Sequence, residues 1–210
     1  MSSPIALIDY GAGNLTSVRK GLTSLGARFW TPVSARELAR ADKIIVPGVG
    51  HFDSTKALTA EWRDAIGMAV ERDETPLLGI CVGLQWLFAG SSEAPKVPGL
   101  NLFPGTCFHL SDSNAGLKVP HVGWNSLEVE EPSPLMHGIK SGTQVYFTHS
   151  YAAPVTIDTV ATCHYGVPFS AAMQSGNVAA VQFHPEKSGE AGLTILSNWL
   201  TRVKWPADVV

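Results

Sequence analysis

The sequence is poor in charge and in cysteine, and no apolar run in it is long enough to cross a membrane. Only 16% of its 210 residues are charged and the net charge is -3, so no basic stripe is available to grip a nucleic-acid backbone. The apolar runs are short and broken, which excludes a spanning helix. Three cysteines, Cys81, Cys107 and Cys163, are widely spaced with no C-x-x-C pair. They form no disulfide framework, and an odd count fits a reducing compartment. No histidine-rich or cysteine-rich cluster has ligand spacing, so neither a metal nor a cofactor is expected. The G-x-x-x-x-G-K-[ST] phosphate loop is missing, and D-Y-G-A-G-N is not a full dinucleotide fingerprint. There is no internal repeat and no low-complexity linker. The start, M-S-S-P-I-A-L-I-D-Y, has no basic region or cleavage site, so a cytoplasmic protein without a secretory leader is expected.

What remains is a globular composition, 45% hydrophobic, sized for one α/β domain over 1–210. The first half alternates strand-like and helical stretches. Apolar runs at Ile5–Asp9, Lys43–Val46 and Pro76–Ile80 predict buried strands. Helices are predicted over Leu15–Leu25, Asp53–Arg72 and Val82–Ala89, and Ser34-Ala35-Arg36-Glu37 has the pattern of a capping box opening a short helix. Such alternation implies a mostly parallel central sheet flanked by helices. Ser91–Pro98 is expected to be a surface loop. Short β-rich pieces between Gly99 and Val181 predict antiparallel hairpins added to the sheet. Ser188–Lys204 is predicted to close the fold as an amphipathic helix with Leu193, Leu196, Trp199 and Leu200 on one face.

Three predicted strands end in loops suited to chemistry, D-Y-G-A-G-N, P-G-V-G-H-F and G-I-C-V-G, where open parallel sheets place their ligands. Leu77-Leu78-Gly79-Ile80-Cys81-Val82-Gly83 is an apolar strand running into G-x-C-x-G and a helix, a cysteine version of the nucleophile elbow. The turn is tight, so its flanks must be small, and a helix N-terminus favours thiolate. Alone, the segment is equally a core cysteine between glycines. Val178–Phe183 leads into His184-Pro185-Glu186. There the imidazole can take a thiol proton and the carboxylate can hold it in one tautomer. Alone, H-P-E is a surface turn; beside Cys81 it completes a triad. His51 and His149 are competing bases near other strand ends, although neither has a carboxylate two residues away in a rigid turn. Pro47-Gly48-Val49-Gly50 lets the backbone turn an N–H toward a tetrahedral oxyanion, where losing one donor costs about 3–4 kcal/mol of barrier. Without its neighbours it is an ordinary glycine turn. Cys107 and Cys163 read as buried thiols.

Taken together, G-I-C-V-G-L-Q, P-G-V-G-H-F and V-Q-F-H-P-E-K-S resemble the class I glutamine amidotransferases. I-D-Y-G-A-G-N-L-T-S-V, V-P-H-V-G-W-N-S-L and Y-F-T-H-S-Y look like the glutaminase branch of imidazole glycerol phosphate synthase. The resemblance runs from Ile5 to Trp199. It implies that glutamine is hydrolysed to glutamate and ammonia by Cys81, His184 and Glu186. Gly48, Val49, Gly50 and Val82 would frame the oxyanion site. Gly50, Val82, Gln85, His149, Ser150 and Tyr151 would hold glutamine. It also implies a partner: a (β/α)8-barrel cyclase subunit, joined as a heterodimer, that uses the ammonia in histidine biosynthesis. There the cyclase converts a phosphoribulosyl-formimino-aminoimidazole-carboxamide ribotide to imidazole glycerol phosphate and AICAR. Asn14 and Trp124 match positions at the cyclase interface, although Asn14 also suits a helix cap and Trp124 a core position. Tyr146 and Phe147 read as core strand residues. Two positions depart from the family pattern: Val82, where a longer apolar residue is more common, and His51, where a small one is. Amidotransferases feeding GMP, anthranilate or pyridoxal phosphate synthesis share the triad, and a stand-alone cysteine hydrolase is a further alternative.

Overall fold

Alternation by twos along the first strand sends Ile5 and Leu7 into one apolar cluster and Ala6 and Ile8 into another. This is what a strand buried on both faces requires. The computed structural model describes residues 4–13, 15–113, 116–130 and 133–202. Asn14, and residues 203–204 at the end of the expected last helix, lie outside the described residues.

In chain order the strands are β1 (Ile5–Leu7), β2 (Phe29–Trp30), β3 (Lys43–Gly48), β4 (Leu77–Cys81), β5 (Gly90–Ser91), β6 (Thr106–His109), β7 (His121–Ser126), β8 (Glu128–Val129), β9 (Gln144–His149), β10 (Tyr151–Ala152), β11 (Thr159–Tyr165), β12 (Val167–Ser175) and β13 (Val178–Val181). The α-helices are α1 (Leu15–Ser24), α2 (Ala60–Glu71), α3 (Val82–Trp86) and α4 (Gly189–Arg202). An eight-stranded sheet runs β2-β1-β3-β4-β13-β12-β11-β8. Its first five strands are parallel and the last three antiparallel, as expected for a parallel sheet extended by hairpins. Buried side chains of α1 and α4 pack on one face, and those of α2 and most of α3 on the other. In α4, Leu196 and Trp199 are fully buried while Leu193 and Leu200 pack at the margin.

Strand order positions the chemistry. β4 lies between β3 and β13, with Gly48 level with Cys81 and Val181 level with Ile80. The P-G-V-G loop, the elbow and H-P-E therefore leave adjacent strands at the same end of the sheet.

Several expectations need correction. The helix predicted over Asp53–Arg72 is two elements, a 3-10 helix at Phe52–Ala57 and then α2. Burial of Leu58 between them breaks the run. The helix after Cys81 stops at Trp86 instead of Ala89: the Leu87 and Phe88 amides tighten onto carbonyls three residues back, and the Ala89 amide bonds the Gly105 carbonyl instead of Gln85. Ser34 flanks a 3-10 helix at Ala35–Arg40, but its side chain caps nothing, and Glu37 instead accepts from the Val33 amide at 3.1 Å. Ser91–Pro98 is no simple surface loop, since Ser91, Ala94 and Val97 are buried. Not every hairpin joins the main sheet. β10, β6 and β5 form a three-stranded sheet, and β7 with β9 a separate two-stranded ribbon.

Candidate active site

Cys81 sits at φ 55° and ψ −108°, outside the region open to most L-residues, at a cost of about 1–3 kcal/mol. The surrounding packing imposes this turn. A Cβ on Gly83 would overlap the Val46 carbonyl oxygen, and one on Gly79 would lie 2.8 Å from the Gly83 carbonyl oxygen. The sulfur is therefore presented at the end of β4, where Gln182 Nε2 approaches it at 3.7 Å. With only five residues in α3, its dipole is a weaker support for thiolate than the predicted helix would be.

His184 Nδ1 lies 2.9 Å from Glu186 Oε1, both side chains almost wholly buried at 2% and 1% exposure. A carboxylate only accepts, so Nδ1 carries a proton and Nε2 is the nitrogen left to exchange a proton with Cys81. Nε2 makes no hydrogen bond of ordinary geometry among the described residues. Burial pulls the imidazole down, but contacts with Cys81 and Glu186 outweigh it and push His184 up to about 10. Its backbone is locked: the Ser188 hydroxyl donates to the His184 carbonyl at 2.7 Å and accepts from the Tyr146 amide at 2.9 Å.

On the other side of Cys81, the Val49 amide donates to the Ala12 carbonyl at 2.9 Å. Gly50 follows at φ 105°. A Cβ on Gly48 would overlap the Tyr10 hydroxyl and come within 2.9 Å of Val82 Cβ. That hydroxyl is buried with no hydrogen-bond partner among the described residues.

A cleft of about 340 Å³ opens beside Cys81 and brings together the expected Gly50, Val82, Gln85, His149, Ser150 and Tyr151. Gln85 Nε2 donates to the Tyr151 carbonyl at 2.9 Å and to Gln182 Oε1 at 3.3 Å. Gly48 and Val49 do not line the cleft. His149 is not a competing base. Its Nδ1 faces the Tyr151 carbonyl at 2.9 Å and its Nε2 faces His121 at 3.0 Å, so both nitrogens are engaged. Burial, with smaller contributions, holds it down to about 3. His51 is over half exposed and its Nδ1 accepts from the Asp53 amide. Cys107 and Cys163 are buried as expected; burial raises both thiols, Cys163 to about 12.

Trp124 is not a core residue: it is 55% exposed on β7, with its ring edge against Tyr146. Tyr146 shares that outer side, half-buried, whereas Phe147 is buried as expected. Sequence reasoning missed four residues. Glu93 lines the cleft, with Oε2 accepting from the Phe52 amide at 2.7 Å and Oε1 3.9 Å from His51 Nε2. Tyr10, His121 and Gln182 support the walls. Gln182, wholly buried in an otherwise apolar run, was the most detectable of these. Among the described residues no group of three His, Cys, Asp or Glu is arranged to hold a metal ion, and no helix is long and apolar enough to cross a membrane.

Comparison with known proteins agrees with this geometry. Residues 6–203 match the family Glutamine amidotransferase class-I. The chain is 43% identical to imidazole glycerol phosphate synthase subunit HisH of Methanosarcina acetivorans over 93% of this chain and 97% of that one. For the HisH subunit of Moorella thermoacetica the figures are 44%, 93% and 93%. It is also 41% identical to the chloroplastic imidazole glycerol phosphate synthase hisHF of Arabidopsis thaliana, covering 94% of this chain but 34% of that protein. Among solved structures, PurLQS from Thermotoga maritima shares the fold, with TM-score 0.75 at 21% identity, covering 97% of this chain and 100% of that chain. The chain belongs to the class I glutamine amidotransferases and, within them, to the HisH family of glutaminase subunits of imidazole glycerol phosphate synthase.

Proposed function

We propose that this chain, acting as a single domain, hydrolyses glutamine through a covalent Cys81 intermediate and passes the ammonia to a cyclase partner. The observation that carries the reading is the buried His184–Glu186 pair, with its basic nitrogen left open beside a cysteine held in a strained elbow. His184 Nε2 takes the thiol proton and the sulfur attacks the carboxamide carbon. The oxyanion that forms is met by the Val49 amide once that amide leaves Ala12. His184 returns the proton to nitrogen as the C–N bond breaks, releasing ammonia and leaving a γ-glutamyl thioester. Water, deprotonated by His184, then attacks the thioester. The C–S bond breaks, the thiol is restored and glutamate leaves.

In the cleft, the Glu93 carboxylate suits the α-ammonium of glutamine, while Gln85, His149, Ser150 and Tyr151 frame the remainder. The partner reading rests on the relatives, which are named as subunits of imidazole glycerol phosphate synthase. The Arabidopsis relative, hisHF, also extends well beyond the matched part. Trp124 and Asn14 are the proposed interface residues, and the exposed aromatic face of β7 supports the first of them. No cofactor takes part in these steps.

Cys81→Ser tests both halves of the reading. Assayed with the cyclase subunit, it is expected to lose glutamine-dependent synthesis of imidazole glycerol phosphate and to retain ammonia-dependent synthesis. Loss of both would refute the ammonia-donor role, and retention of both would refute Cys81 as nucleophile.

A further inference from the structure

A partly buried chain of hydrogen bonds, fully buried at its His121–His149 link, runs from the β7–β9 ribbon to the wall of the glutamine cleft. Asn125 Nδ2 approaches His121 Nε2 at 3.3 Å, His121 Nδ1 meets His149 Nε2 at 3.0 Å, and His149 Nδ1 meets the Tyr151 carbonyl at 2.9 Å. The direction of every bond is determined. The Tyr151 carbonyl only accepts, so His149 carries its proton on Nδ1 and leaves Nε2 to accept. His121 Nδ1 must then donate, and its Nε2 must accept from Asn125. At the far end the Asn125 amide is oriented independently: its nitrogen also donates to the His164 carbonyl at 3.1 Å and its oxygen accepts from the Ser126 amide at 2.8 Å. The two ends agree, so both imidazoles are neutral Nδ1–H tautomers.

We propose that His121 is a positioning residue for glutamine binding, acting through His149 to hold the Tyr151 carbonyl against which the Gln85 amide is anchored. This rests on the glutaminase reading of the cleft and deepens it. His121 does not line the cleft; its ring is stacked between Phe147 at 4.8 Å and Tyr165 at 4.0 Å between ring centres. Without its donor, His149 Nε2 loses its partner in a buried site, and the ring is free to turn away from Tyr151. The chemical centre at Cys81 and His184 is untouched, so the loss falls on substrate binding.

The test uses the complex with cyclase and glutamine as the probe. His121→Phe keeps the aromatic stack and removes both hydrogen bonds. It is expected to raise KM for glutamine by about 30-fold, with kcat within about threefold of wild type. His121→Gln restores one donor and one acceptor and is expected to stay within about fivefold of the wild-type KM. Nitrogen-15 spectra of the wild-type imidazoles are expected to show the Nδ1–H tautomer at both His121 and His149. An unchanged KM in His121→Phe, a His121→Gln variant as impaired as His121→Phe, or an Nε2–H tautomer at His149 would overturn the proposal. The spectra decide alone where His121→Phe does not fold. Absence of glutamine turnover in the wild-type complex would refute the glutaminase reading instead, and leave the relay to be judged by the spectra.

Discussion

Removing the Glu186 carboxylate gives the most direct test of the triad. In the proposed reaction His184 holds a positive charge opposite the attacking sulfur, and the buried Glu186 oxygen 2.9 Å from its Nδ1 is the group that steadies that charge. A hydrogen bond to a charged group contributes about 1.5–3 kcal/mol. At about 1.4 kcal/mol per decade of rate, Glu186→Ala should lower kcat for glutamine by about 10- to 150-fold. The change should also register in stability against pH. Burial lowers the His184 pKa, but Cys81 and Glu186 raise it overall from 6.5 to about 10. Its charged form therefore stabilises the fold fully below pH 6.5, and this contribution declines as pH rises toward 10. Glu186→Ala brings the imidazole back down and should flatten that decline. The assays are steady-state glutamine turnover with cyclase present and urea unfolding at several pH values between 6 and 10. Ammonia-dependent synthesis should not change. Turnover within twofold of wild type, or an unaltered slope of stability with pH, would refute the assignment of Glu186 as the group that orients and charges His184.

Three further perturbations probe the walls of the site. Gly83→Ala places a methyl group on the Val46 carbonyl oxygen. It should cost about 1–3 kcal/mol in denaturant unfolding and slow labelling of Cys81 by a glutamine-like electrophile. Glu93→Gln keeps an oxygen for the Phe52 amide but removes the charge; KM for glutamine should rise about tenfold with little change in kcat. Tyr10→Phe deletes a buried hydroxyl that has no partner among the described residues, so urea unfolding should show a gain of about 1 kcal/mol.

Local pattern carried much of this fold. The runs at Ile5, Lys43 and Pro76 are legible because a strand buried on both faces is apolar throughout, and glycines at 79 and 83 mark a turn where no Cβ fits. H-P-E is legible because proline fixes the spacing of its neighbours. What escaped depends on contacts distant in sequence. The helix after Cys81 ends at Trp86 as the Ala89 amide turns to the carbonyl of Gly105, and nothing within Val82–Ala89 announces that. Glu93 reaches the cleft through a bond to Phe52, 41 positions away. His121 and His149 face each other because β7 and β9 pair in that register, which no motif encodes. Trp124 was ambiguous for the same reason. Whether a tryptophan in a short strand points in or out depends on which of its neighbours is level with the core, and here His121, three pairs along and so on the opposite face, takes the buried place.

The resting state is incomplete in one respect, and the loop that makes it so is informative. The Val49 amide, the proposed oxyanion donor, is spent on the Ala12 carbonyl. One N–H cannot serve both Ala12 and an oxyanion. Freeing it costs about 1 kcal/mol net for the lost bond, plus whatever the backbone turn adds, and Gly48 and Gly50 on either side keep that addition small. On the proposed reading the competent arrangement is a minor state, separated by a gap of the size that a binding partner can supply, since coupling between sites is typically about 1–3 kcal/mol. Ala12 belongs to the D-Y-G-A-G-N loop, whose Gly13 also packs against Val49, where an added Cβ would lie 3.2 Å from Cγ2. Anything that grips this loop acts on Ala12 and Val49 together. A partner seated there needs no path through the core to reach Cys81: moving one carbonyl by an ångström or two is enough to release the donor on which the chemistry waits.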